Sequence, residues 1–213
     1  MIRLPAAPCL LAALPVAFVA QAQSPSAEQW EIGPVERGRS LSPGMPPTLE
    51  ATRDGPAFRF PQPSAAAGHV HYVTVPVSSL ERARRITLRY RIDAAPGVRF
   101  VPQEAPHEEA SLSLYFQQRG DGWTRRFPTH RWYAPSSKVM PLRPGTHTVT
   151  VAMNEPWVAV LGGTSHDLPE DFAAARRDTA RVGFVFGSAA SGRGHGVFAT
   201  GPARFTILDF RIE

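Results

Sequence analysis

Arg85-Ile86-Thr87-Leu88-Arg89-Tyr90-Arg91-Ile92 alternates without a break, with Ile86, Leu88, Tyr90 and Ile92 on one side and Arg85, Thr87, Arg89 and Arg91 on the other. Successive side chains of an extended chain point to opposite faces, so a period of two predicts a strand with one dry and one wet face. A helix would scatter the same residues around its circumference. The pattern suits an antiparallel sheet lying on a core, because strands of a parallel sheet read as unbroken apolar runs.

The alternation recurs along the chain. Leu112, Leu114 and Phe116 alternate with Ser111, Ser113, Tyr115 and Gln117, and His147, Val149 and Val151 alternate with Thr146, Thr148 and Thr150. Val182, Phe184 and Phe186 alternate with Gly183, Val185 and Gly187. With 57–60, 70–75 and 204–212 the count is roughly seven to nine strands. The last of these changes step, since Phe205 and Ile207 have one parity and Leu208, Phe210 and Ile212 the other, which predicts a bulge or burial on both faces. One helix is expected at Glu170-Asp171-Phe172-Ala173-Ala174-Ala175-Arg176-Arg177, opened by Pro169, with acids first and bases last. Short strands, turns at Gly120-Asp121-Gly122 and Arg143-Pro144-Gly145, and a single helix define an all-β fold: an antiparallel two-sheet β-sandwich or jelly roll of about eight strands.

The N-terminus has a different character. Met1-Ile2-Arg3 leads into the apolar run 10–20, which closes on Ala20-Gln21-Ala22. A basic start, a short apolar core and a small-x-small triplet predict a signal peptide over 1–22, cleaved after Ala22. The expected product is exported to the periplasm or the extracellular space, with no membrane span after cleavage. Cleavage removes Cys9, the only cysteine, so the mature domain must be held by its core rather than by disulfides. Residues 23–55, rich in Pro and Gly, read as an extended or partly disordered lead-in with an edge strand around Trp30, and 56–213 as the sandwich.

The chain carries 23 Lys+Arg against 18 Asp+Glu, a net charge of +5. Lys138 is the sole lysine and Asn154 the sole asparagine, so the arginine bias follows codon composition, and the basic residues do not cluster as a nucleic-acid footprint requires. No nucleic-acid partner is expected; the sequence does not specify an oligomeric state.

The segment 123–133 combines aromatic planes with hydrogen-bonding side chains. Trp123, Arg126, His130, Arg131, Trp132 and Tyr133 form a candidate ligand patch, in which rings stack on sugar faces while Arg, His and Tyr bind hydroxyls or a uronate. The competing reading places Trp132 and Tyr133 in a strand, filling the core. The Arg85, Arg89, Arg91 row is a further candidate surface for an anionic sugar. His69-x-His71 sets two imidazoles on one side of a strand without a third ligand nearby, and two histidines do not specify zinc. No catalytic residue is assigned.

The segments from 70 onward, among them His71-Tyr72-Val73-Thr74, the strand 86–92 and the closing run 203–212, resemble in order and pattern the galactose-binding-like jelly-roll superfamily. Carbohydrate-binding modules of secreted bacterial proteins are the members most alike. That resemblance implies an eight-stranded sandwich, a glycan site on the concave face or the loops and, in many members, a structural calcium. Asp121 and Asp209 are the acids available to such an ion here, but no loop carries its dense oxygen ligands, so no cofactor is expected. The resulting expectation is a secreted, non-catalytic binder of a polysaccharide or surface glycan. The alternatives are a hydrolase or lyase with Tyr133 and His130 as acid and base, and a structural envelope domain that binds protein.

Overall fold

The computed structural model describes residues 24–63, 68–188 and 195–213. The signal peptide expected over 1–22 lies outside them. No helix among the described residues is long and apolar enough to cross a membrane.

The strands are β1 (Glu31–Gly33), β2 (Val35–Glu36), β3 (Arg39–Ser40), β4 (Glu50–Thr52), β5 (Gly55–Arg59), β6 (Tyr72–Pro76), β7 (Arg85–Ala94) and β8 (Phe100–Pro102). They continue as β9 (Ala110–Gln118), β10 (Arg131–Tyr133), β11 (Met140–Pro141), β12 (Gly145–Ala152), β13 (Val158–Ala159), β14 (Thr179–Ser188), β15 (Val197–Ala199) and β16 (Ala203–Ile212). A large sheet of seven strands runs β1-β6-β14-β9-β10-β13, with β11 also on β9, and a small sheet of five runs β12-β7-β16-β5-β4. The ribbons β2-β3 and β8-β15 stand apart from both sheets. All the pairings are antiparallel, and the strands expected from alternation are the long ones. The additional strands have two or three residues, too few for a period to show.

Phe58 and Phe205 of the small sheet meet Phe186 and Phe184 of the large one at centroid separations of 5.9 and 5.2 Å, so the two inner faces share one aromatic core. Edge-to-face and offset ring pairs add to the gain from burying that area. Helix α1 (Pro169–Arg177) forms where expected and closes one side of the core. Its Phe172 packs edge-on against Trp132 at 4.9 Å. The Arg176 guanidinium donates to the carbonyls of Leu80, Glu81 and Ala83, which fixes the chain entering β7.

The change of step in β16 is a bulge: its register on β7 shifts between Ile207 and Asp209. Gly55 is required beside it, because a Cβ there would lie 2.1 Å from the Ile207 carbonyl oxygen.

The lead-in expected over 23–55 carries the edge strand foreseen around Trp30, and its described residues, 24–55, are part of the sandwich. β1 pairs with β6, β4 pairs with β5, and Trp30 is fully buried against Phe184 and Phe210. Burial of Trp30 together with Ile32 and Leu49, and the strand pairing of β1 and β4, jointly offset the chain freedom the segment loses.

Candidate functional site

Arg131, Trp132 and Tyr133 occupy consecutive positions of β10, so their side chains alternate between the faces of the large sheet. Trp132 points inward and is fully buried, with its indole N–H donating to the Thr129 carbonyl at 2.6 Å. It is a core residue, which corrects its assignment to a ligand patch. His130 lies flat on Phe127, with a centroid separation of 4.6 Å and an interplanar angle of 7°, and the Arg126 guanidinium sits 5.6 Å from the same Phe127 ring. The six expected residues therefore do not form one surface. Trp123, Arg131 and Tyr133 are brought together; Arg126 and His130 belong to the Phe127 corner of the loop.

Tyr72, Tyr115, Tyr133 and Val185 make a second, small apolar cluster on the outer face of the large sheet. The loop between β9 and β10 folds over this cluster. Trp123 lies edge-on to Tyr72 at 4.9 Å, and the Arg131 guanidinium carbon is 5.2 Å from the indole. Trp123 has φ 57°, a left-handed conformation that costs a bulky residue roughly 1–3 kcal/mol and persists only when its surroundings impose it.

Asp121 supplies that constraint. Its buried carboxylate accepts the Trp123 backbone N–H at 3.2 Å and the Gln117 amide at 3.0 Å. Arg131 Nε lies 2.9 Å from Asp121 Oδ2 in an ion pair whose N–H is not aimed along a hydrogen bond. Arg131 also donates to the Thr124 carbonyl at 3.0 Å. Asp121 is thus committed to a cation and to the loop backbone, and Asp209 to Arg211 and Ser24, so neither carboxylate is free for the calcium considered above. Among the described residues, no group of three or more His, Cys, Asp or Glu is disposed to hold a metal ion.

Tyr72 and Tyr133 share a hydrogen bond between their hydroxyls at 3.0 Å. Burial, reinforced by the neighbouring Tyr133, pushes the Tyr72 hydroxyl well above its ordinary pKa, and burial does the same to Tyr115. Both stay protonated at neutral pH and serve as hydrogen-bonding groups rather than bases.

Beside His71, whose ring lies 4.1 Å from that of Tyr72, is a hollow of about 570 Å³. Three segments distant in sequence build it. The β2-β3 hairpin contributes Arg37 and Arg39, turning tightly through Arg37 and Gly38, both with positive φ. Ser42 anchors this hairpin by donating to the Gly33 carbonyl at 3.0 Å and accepting the His71 backbone N–H at 2.9 Å. His69 and His71 enter from the start of β6, with rings 6.1 Å apart.

The β8-β15 ribbon brings the third imidazole, His195, whose ring stacks 6.3 Å from His71 and whose Nδ1 lies 3.0 Å from Glu104 Oε2. Gly196 permits this approach, because a Cβ there would come within 2.2 Å of the His69 ring. His71 Nε2 is buried without a hydrogen-bond partner. Burial, with His69, His195 and Arg131 around it, pulls the His71 pKa well below its ordinary value, so this imidazole is neutral at physiological pH.

His69 and His71 were visible as a pair in the sequence; that His195 joins them was not, because only the ribbon register brings it near. The second candidate surface, the Arg85, Arg89, Arg91 row, faces outward on the small sheet but is largely neutralised. Arg85 forms two hydrogen bonds with Glu213, and Arg91 bonds both Asp54 and Asp93.

The fold and the hollow define the class: an all-β antiparallel sandwich with a polar cleft and an aromatic cluster on the outer face of its larger sheet. No family model and no curated protein matches the chain. Among solved structures it is similar to a carbohydrate-binding module, CBM28, described as specific for non-crystalline cellulose, at 12% identity and a TM-score of 0.43, covering 91% of this chain and 96% of that one.

Proposed function

We propose that the protein is an exported, non-catalytic glycan-binding domain whose ligand lies in the hollow beside His71 and extends toward Trp123. The observation that supports this most is the convergence of Arg37, Arg39, His69, His71 and His195 on one space of about 570 Å³, within the size range of small-ligand sites. Sugar hydroxyls both donate and accept, so they suit the guanidiniums, with their several donors, and the imidazole rings that line this space. Trp123 offers a partly exposed indole, packed on the Tyr72 ring that also contacts His71, against which the apolar side of a pyranose can rest.

Affinity electrophoresis of the mature protein through gels containing neutral or acidic polysaccharides tests the proposal. Retardation by at least one polymer is expected, and His71→Ala and the Arg37→Ala/Arg39→Ala double variant should reduce it. Arg89→Ala, on the opposite sheet, should not. Unretarded migration in every gel would contradict the proposal, as would retardation indifferent to both cleft variants.

A further inference from the structure

We infer that the cleft recognises a carboxylated sugar, a uronate unit within a glycan chain. The inference rests on the glycan-binding proposal and specifies its ligand class. Arg37 and Arg39 line the hollow and enter no ion pair among the described residues, unlike Arg85, Arg91, Arg204 and Arg211, each of which has an acid partner. Of the two acids at the hollow, Glu104 is engaged with His195, leaving Glu36 to offset two guanidiniums.

His71 lines this space with its Nε2 buried and unpartnered, and the groups that act on its ring are His69, His195 and Arg131. A ligand group in the hollow faces the two guanidiniums of Arg37 and Arg39. A carboxylate accepts hydrogen bonds only, matches the planar guanidinium fork and gains from the charge; a neutral hydroxyl gains little from it. Arg37 and Arg39 stand at a hairpin tip, held to the β6 side of the cleft through Ser42, so both can close on the carboxylate without disturbing the sandwich.

Isothermal titration calorimetry with four probes tests this: oligogalacturonate, its methyl ester, cello-oligosaccharide of similar length and free galacturonate. The acid oligomer should bind at least about ten-fold more tightly than either the ester or the neutral oligomer, the size of difference expected from charge-assisted hydrogen bonds. Raising the salt should narrow that gap. In Arg37→Ala/Arg39→Ala the preference should collapse while the fold, followed by circular dichroism, is retained. Free galacturonate should bind about ten-fold more weakly than the oligomer, because it fills only part of the cleft; equal binding would overturn the assignment to a chain. Ester or neutral oligomer binding as tightly as the acid would overturn the carboxylate assignment and leave the glycan proposal standing. Binding of none of the four probes, with retardation in neutral polysaccharide gels, would do the same; binding of none of them, with no retardation in any gel, would remove both.

Discussion

The two sheets of the sandwich turn opposite chemistry outward. The small sheet presents Thr87 and Thr150 joined by a hydroxyl–hydroxyl bond, with arginines beside them matched to acids at the surface. The large sheet presents three tyrosines and an Arg–Asp pair sealed beneath a loop, with a cleft at their edge. Strands on the small sheet therefore alternate between dry and wet, whereas β9 is buried along nearly its whole length on both faces. A wet face that pairs most of its charges makes few demands on a partner. A covered face with an orphaned imidazole and uncommitted guanidiniums at its rim has bonds still to make.

The comparison can be broken at its ion pairs, where the largest effect is expected. Asp121→Ala leaves Arg131 uncompensated beneath the loop and should cost roughly 3–5 kcal/mol of stability in urea unfolding. Arg91→Ala, which removes a guanidinium that bridges two surface acids, should leave the unfolding midpoint nearly unchanged because solvent screens that pair. Equal losses would mean that the two faces do not differ as described.

A smaller effect should follow from the hydroxyl pair under the loop. Tyr72→Phe removes its bond to Tyr133 and should cost about 1 kcal/mol by the same measurement. No change would mean that the hydroxyls gain nothing from meeting.

The smallest effect concerns pH. Burial, reinforced by the neighbouring His69, His195 and Arg131, disfavours protonation of His71 in the folded protein, while in the unfolded chain its pKa returns toward about 6.5. Below that value the unfolded state binds the extra proton more readily. The contribution of His71 to stability is therefore complete above about pH 6.5 and declines as the pH falls toward the depressed folded-state value. Melting temperatures from pH 8 to pH 5 should show this decline, and His71→Asn should flatten it; an unaltered slope in the variant would contradict the assignment.

The division between the faces was partly visible in the residues. Strict alternation in 86–92 and 146–151 identified the small sheet with its wet face, and the parity change after Ile207 located the bulge, because both depend on neighbours one or two positions apart. The same rule applied across Arg131, Trp132 and Tyr133 separates the three onto two faces, a signal available in the sequence that the expected aromatic patch passed over. The cover on Ser113, Tyr115 and Gln117 had no local signal, since it comes from a loop whose path Asp121 sets. The meeting of His195 with His71 likewise depends on a ribbon that no spacing encodes. The edge strand β1 was marked by Trp30, whereas the short strand β4 was obscured by the prolines and glycines around it.

Trp123 gives the most direct test that the outer face of the large sheet binds the ligand. The chain has four tryptophans, and Trp30, Trp132 and Trp157 are fully buried, so a ligand on this face can reach only the fourth. Titrating a polysaccharide that retards the protein in affinity gels, while following tryptophan emission and its quenching by iodide, should give a saturable change and protection in the native protein, both absent in Trp123→Phe. The same change persisting in Trp123→Phe, or full binding by calorimetry with no change in emission or quenching, would contradict the account.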